Sequence, residues 1–183
     1  MIPDFSSFEV NGIPCPMIYI EGGTFEMGSK VYKREQPIRS VTVSSFYIGQ
    51  FPVIQSLYKS MMGNNPSHFQ GANRPVEQVS WDDAKTFVKI LNNNTGLEVR
   101  LPSEAEWEFA ARGGNRSEDY RYSGSDDLKQ TSWFKENSGY ETKSVGLLRC
   151  NELGVFDMCG NVSEWCADVD HDSYVGAPNN SCA

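Results

Sequence analysis

No run of eighteen apolar residues occurs anywhere in the chain, and its opening residues, MIPDFSSFEVNG, lack a basic stretch leading into an apolar one. A membrane-crossing helix and a recognisable export signal are therefore not expected, and a cytoplasmic location is. Basic residues are in deficit, 16 Lys and Arg against 24 Asp and Glu, for a net charge of −8. They form no cluster that could track a phosphate backbone, so nucleic acid is not expected as a partner. Only two histidines are present, His68 and His171; a lone loop histidine without a sequence partner is not read as catalytic. The five cysteines (Cys15, Cys150, Cys159, Cys166, Cys182) include no Cys-x-x-Cys pair. That excludes a zinc knuckle, and the odd count excludes a complete disulfide framework. Cys15 and Cys159 read as reduced, buried thiols, and a disulfide among Cys150, Cys166 and Cys182 requires an oxidising compartment. No internal repeat stands out.

What is present suits one globular domain spanning residues 1–183. The chain is 39% hydrophobic, 12% aromatic and 22% charged with both signs mixed, which a disordered segment is not. Its acidic surface suits divalent cations or cationic peptides, though such a balance also serves solubility alone.

Residues 17–48 alternate short apolar runs with glycine and polar turns, the rhythm of short antiparallel strands, around an exposed charged loop over 30–37. From Ile54 the period changes: Ile54, Leu57, Tyr58, Met61 and Met62 fall on one helical face, with Gly63 as the stop. The methionine pair reads as core filler rather than a soft-metal site. A second helix starts at Ser80, whose hydroxyl can cap Asp83, and buries Trp81, Ala84, Val88 and Leu91. Asp82 and Asp83 point about 100° apart, so capping explains the pair better than acid–base chemistry does. After a short strand at Glu98–Leu101, Ser103 and Glu106 form a capping box that opens a third helix reaching about Arg112, with Trp107, Ala110 and Ala111 facing inward. Residues 113–140 are rich in Gly, Ser, Asn and Asp and read as a long irregular region, uncommon unless something orders it.

Leu153–Asp168, LGVFDMCGNVSEWCAD, has neither helical nor strand period. Two carboxylates, Asp157 and Glu164, sit among small and aromatic residues. They read either as surface carboxylates and caps, or as oxygens around a bound calcium, which takes six to eight ligands near ~2.4 Å and accepts carbonyls readily. Downstream, Asp168, Asp170 and Asp172 imitate the start of an EF-hand loop. Ser173 stands where that loop needs glycine and Asn179 where it needs glutamate, so a solvated acidic turn is the reading.

Four segments in order, FEMGS (25–29), PVEQVSWDDAKTF (75–87), RLPSEAEWEFAARGG (100–114) and NELGVFDMCGNVSEW (151–165), together resemble the formylglycine-generating enzyme family, also called sulfatase-modifying factors, over about residues 16–168. The resemblance implies an α+β, C-type-lectin-like fold with short twisted antiparallel strands, about three helices and much irregular structure. It also implies a structural calcium held by the Asp157 side chain, the Gly160 and Val162 carbonyls and the Glu164 carboxylate. The family's oxidases convert a sulfatase cysteine to formylglycine with copper held by two cysteines. Here Ser163 replaces a large aromatic residue near that active site, which should open a gap. The Arg-Gly-Gly-Ser-Trp segment, the strands that follow this motif and the copper-binding cysteine pair are not found before the chain stops at Ala183, and copper is not supported by this chain.

Three functions compete. The first is a formylglycine-generating oxidase or close relative, acting on a sulfatase-type polypeptide, with no catalytic residue assignable here. The second is a non-catalytic module that binds another protein or ligand. The third, an iron-dependent sulfoxide synthase, would need a histidine-rich second domain.

Overall fold

The computed structural model describes residues 7–169 and 171–180. It opens with a hairpin that the strand reading starting at residue 17 omits: β1 (Ser7–Val10) turns through Asn11-Gly12 into β2 (Ile13–Ile20), pairing Val10 with Ile13. Both turn residues are left-handed, at φ 52° and 77°, which is what a two-residue hairpin demands and why Asn-Gly makes one. The second half of β2 pairs antiparallel with β5 (Phe46–Gly49), and β3 (Gly23–Met27) with β4 (Arg39–Val43) forms a separate hairpin. The charged 30–37 stretch between β3 and β4 is exposed, half-buried only at Glu35, and contains a single 3-10 turn, Lys33–Glu35.

The three expected helices form. α1 (Gln55–Met62) ends on Gly63 in the left-handed region. α2 (Trp81–Thr95) is capped by Ser80, whose Oγ accepts from Asp83 N at 3.1 Å while the Asp83 carboxylate accepts from Ser80 N at 2.9 Å. Its most buried residues are Leu91, on the expected face, and Phe87, which that face omits; Trp81, Ala84 and Val88 are half-buried. α3 (Glu104–Ala111) opens on the Ser103–Glu106 box, with bonds of 3.2 and 2.9 Å.

The expected strand at Glu98–Leu101 does not form. Val99 has its backbone N–H and carbonyl bound by the Asn92 side chain, at 2.9 and 2.8 Å, so one amide supplies the partners that a neighbouring strand would have offered. The 113–140 region is irregular as expected, but it contains two one-turn helices, α4 (Leu128–Thr131) and α5 (Lys135–Ser138), and β6 (Ser132–Trp133), which pairs in parallel with β7 (Cys159–Gly160).

Two clusters of buried side chains hold these elements. One joins the β3–β4 hairpin, α3 and the 151–158 segment around Phe109, Ile20 and Met27; the other joins β1, β2, α1 and α2 around Leu57, Tyr58 and Phe87. Beside the second, the 64–75 loop is organised by a single buried amide. Gln55 donates through Nε2 to the carbonyls of Phe69 and Pro75, at 2.7 and 3.1 Å, and accepts through Oε1 from Asn65 and Gly71, at 2.9 and 3.0 Å.

Candidate functional site: the 151–168 turn and the adjoining cleft

Asn151 anchors the turn. Buried at the C-terminal end of α3, it donates to the Ala110 carbonyl at 2.7 Å and accepts from the backbone of Leu153 and Val155. Within eight residues the chain then takes the left-handed conformation at Gly154, Asp157, Gly160 and Asn161, which rules out a helix and any strand longer than the two residues of β7 and accounts for the missing period. Gly160 has a second constraint: a Cβ there would overlap the Ser132 hydroxyl and the Trp133 carbonyl. The far end of the turn is held by two indoles and a carboxylate. Trp165 donates to Val79 O at 3.0 Å, Trp81 donates to Cys166 O at 2.9 Å, and Asp168 accepts from Glu104 N at 2.6 Å at the start of α3.

The structure brings Asp157 and Glu164 into the same electrostatic environment. Asp157 is buried, and its carboxylate accepts from Gly146 N at 2.8 Å and from Asn161 Nδ2 at 3.4 Å. Burial pushes its carboxyl above the usual range, and those two donors oppose the rise. Glu164 keeps surface that solvent reaches through the cleft, but protein crowds it on its other sides. That crowding pushes its carboxyl up to about 7, the Asp157 charge adding to the rise and the Trp107 indole opposing it. Neither carboxylate forms an ion pair among the described residues. Gly160 O accepts from Val162 N at 2.8 Å, and a carbonyl has a second lone pair to offer. Asp157 and Glu164, whose carboxyl feels the Asp157 charge, and the Gly160 and Val162 carbonyls between them in sequence are oxygen donors of the kind a hard cation accepts. Among the described residues no cluster of three or more carboxylate, thiol or imidazole ligands occurs, so a cation here would draw on carbonyls and water.

The four described cysteines are free thiols. Burial raises the thiols of Cys15 and Cys159, and burial with the surrounding charges of Asp168, Glu104 and Glu164 pushes Cys166 up to about 12. Cys182 lies outside the described residues. The acidic run downstream disperses: Asp168 caps α3, Asp172 faces Arg34 at 3.7 Å, and Asp170 lies outside the described residues.

The residue-by-residue sequence reading missed a cleft of about 300 Å³ between α2, the β2–β5 strands and the 162–165 segment. Its walls are apolar and aromatic, and Ser163 lines it, where the resemblance predicted a gap. The sequence carried a second signal, the alternation of Ala84, Phe87, Val88 and Leu91 along α2, all of which face the cleft. Trp107 also lines it, its buried indole N–H set towards the Glu164 carboxylate, whose pKa that donor lowers against the effect of burial.

Residues 4–182 match the sulfatase-modifying factor enzyme 1-like domain, the FGE-sulfatase family. The chain belongs to that family. It is 34% identical over 200 residues to the chaperone protein LppX of Paenibacillus barcinonensis, a match covering 82% of this chain and 70% of that protein. It is also 34% identical over 110 residues to the formylglycine-generating enzyme of Streptomyces coelicolor, but that match covers 52% of this chain and 32% of the enzyme. Among solved structures, Treponema denticola variable protein 1 superposes with a TM-score of 0.81 at 32% identity, covering 91% of this chain and 79% of that one. The expected sulfatase-modifying-factor fold of short antiparallel strands, a few helices and long irregular connections is the fold observed. No helix among the described residues is long and apolar enough to cross a membrane.

Proposed function

We propose that this chain is a non-catalytic member of the family, a binding module whose 151–168 turn is braced by calcium. The observation that carries the non-catalytic reading is the likeness to LppX, which is named a chaperone rather than an oxidase and matches over 82% of this chain and 70% of its own length. Incubating the copper-loaded protein with oxygen and a Cys-x-Pro-x-Arg peptide should give no aldehyde by mass spectrometry. Aldehyde formation would establish the second reading, an oxidase acting on a sulfatase-type polypeptide, which the match to the Streptomyces enzyme favours.

For calcium, the supporting observation is that neither Asp157 nor Glu164 has an ion-pair partner among the described residues, with the Gly160 and Val162 carbonyls between them in sequence. The ion would neutralise both carboxylates and hold the four left-handed residues in place. A ligand bound only by the folded state stabilises it by about 2.7 kcal/mol at a hundredfold excess over Kd. Chelation should therefore lower the thermal midpoint, and Glu164→Ala should abolish that sensitivity. An unchanged midpoint on chelation would remove calcium from the site.

A further inference from the structure

A second recess, of about 230 Å³, opens beside α5, and three residues on its walls carry hydrogen-bonding groups that no described residue satisfies. Ser138 is 7% exposed, and its hydroxyl is without a partner. Thr142 is 8% exposed; its carbonyl accepts from the Arg74 guanidinium, but its hydroxyl is buried and unpaired. The Trp133 indole N–H is buried and unpaired as well. Leaving such a group buried without a partner costs about 1–3 kcal/mol, and three of them round one recess point to an occupant that completes them. We propose that the recess binds a neutral ring bearing several hydroxyl groups, of the pyranose or cyclitol class; this rests on reading the chain as a binding module.

The walls select that class. An indole N–H only donates, whereas serine and threonine hydroxyls donate or accept, and hydroxyls spaced round a ring answer all three. Phe69, Trp133, Phe134 and Tyr140 present apolar surface to the C–H faces of such a ring, a surface that water would leave wet. The volume falls below the roughly 300–1,000 Å³ of drug-sized sites, which limits the occupant to a single ring. Charge favours neither sign. Glu141 on the wall is already paired with Arg74 at 3.2 Å and Lys143 at 2.6 Å, and the Lys135 ammonium lies over the Tyr140 ring, 5.3 Å from its centroid. The Trp133 and Thr142 groups are closed to solvent, so the ring reaches them by displacing a wall. Tyr140 is the wall with least to hold it, 71% exposed and left-handed at φ 64° beside left-handed Gly139.

The test titrates the full chain with methyl β-D-glucopyranoside and with myo-inositol, following the Trp133 indole N–H in proton–nitrogen NMR spectra, that peak being assigned by its loss in Trp133→Phe. A saturable shift of the peak with at least one of the two rings is expected. Ser138→Ala should weaken binding about fivefold, the worth of one net hydrogen bond. Tyr140→Ala, at an exposed position that the fold tolerates, should weaken it by a similar factor through loss of a stacking face. Thr142→Val replaces the hydroxyl by a methyl group of the same shape; it should weaken binding about fivefold and leave the thermal midpoint unchanged or raised, because the hydroxyl it removes was unpaired. Methyl β-D-glucuronide should bind no more tightly than the glucoside. No saturable shift with either ring, binding untouched by both Ser138→Ala and Thr142→Val, or glucuronide binding tenfold tighter than glucoside would overturn the proposal. A resident water already pairing the hydroxyl would show as a lowered midpoint in Thr142→Val, and would overturn it too. The peptide-oxidation assay is independent: aldehyde formation would sink the non-catalytic reading with the titration unchanged, and a failed titration would leave the absence of aldehyde standing.

Discussion

The two buried clusters of this domain are built from similar residues and differ in how completely they are closed. Around α3, Ile20, Val41 and Ala110 are fully buried and Phe109 is 2% exposed, whereas around α1 and α2 the comparable residues Leu57 and Phe87 keep 8% and 5% of their surface. Of the first cluster's buried members only Val155 and Met158, in the 151–158 segment that folds over α3, reach the cleft; of the second's, Cys15, Leu57, Tyr58, Phe87 and Leu91 do. Closure, rather than composition, is what separates the two.

The sharpest way to break this comparison is a pair of truncations. Phe109→Ala should cost about 3–5 kcal/mol, and Leu91→Ala about 2, because the lost side chain of Leu91 borders space that ligand or solvent can enter rather than a sealed cavity. Urea unfolding of both variants reads the difference, and equal losses would mean that the second cluster is as closed as the first.

Next in size is the ion pair that braces the sealed side. Burial alone would raise the Glu106 carboxyl, but the Arg100 guanidinium and Ser103 more than offset it and hold it below its ordinary 4.5. A carboxylate held below its unfolded value stabilises the fold in full above about pH 4.5, and that stabilisation is lost as pH falls through the lowered value. Glu106→Gln should therefore lose about 2 kcal/mol at neutral pH and show a flatter stability profile below pH 4.5. The smallest effect contrasts the two capping serines: Ser103→Ala, buried, should cost about 2 kcal/mol and Ser80→Ala, exposed, about 1. Both are measurable by thermal melts.

The helices were legible because caps and period reinforce each other locally: Ser80 with Asp83, Ser103 with Glu106, and Gly63 after Met62 do in the structure what their spacing says. Asn11-Gly12 carried an equally local signal for the first hairpin. The misreading at Glu98–Leu101 has a different origin, since Val99 is apolar and β-branched like a strand residue but satisfied by Asn92, seven residues back, and no periodicity reports a side chain standing in for a strand. The Leu153–Asp168 turn was legible as an exception, through the absence of period. The meeting of Asp157 with Gly146, and of Asn151 with Ala110, depends on long-range packing that no short window contains. Trp107 shows the same limit: its place on α3 was readable, but its meeting with the Glu164 carboxylate, fifty-seven residues on, was not.

Gln55 has a consequence for how this domain can change. Its amide uses two donors and its oxygen two lone pairs to hold four points of the 64–75 loop, so the loop takes its shape from a helix residue outside it. Asn65, Ser67 and Gln70 add side-chain bonds of their own within the loop, but those bonds hang on the frame that Gln55 supplies. Replacing one NH2 group of that amide by oxygen, as Gln55→Glu does, would turn two attractions to carbonyls into two repulsions and erase the template at a stroke.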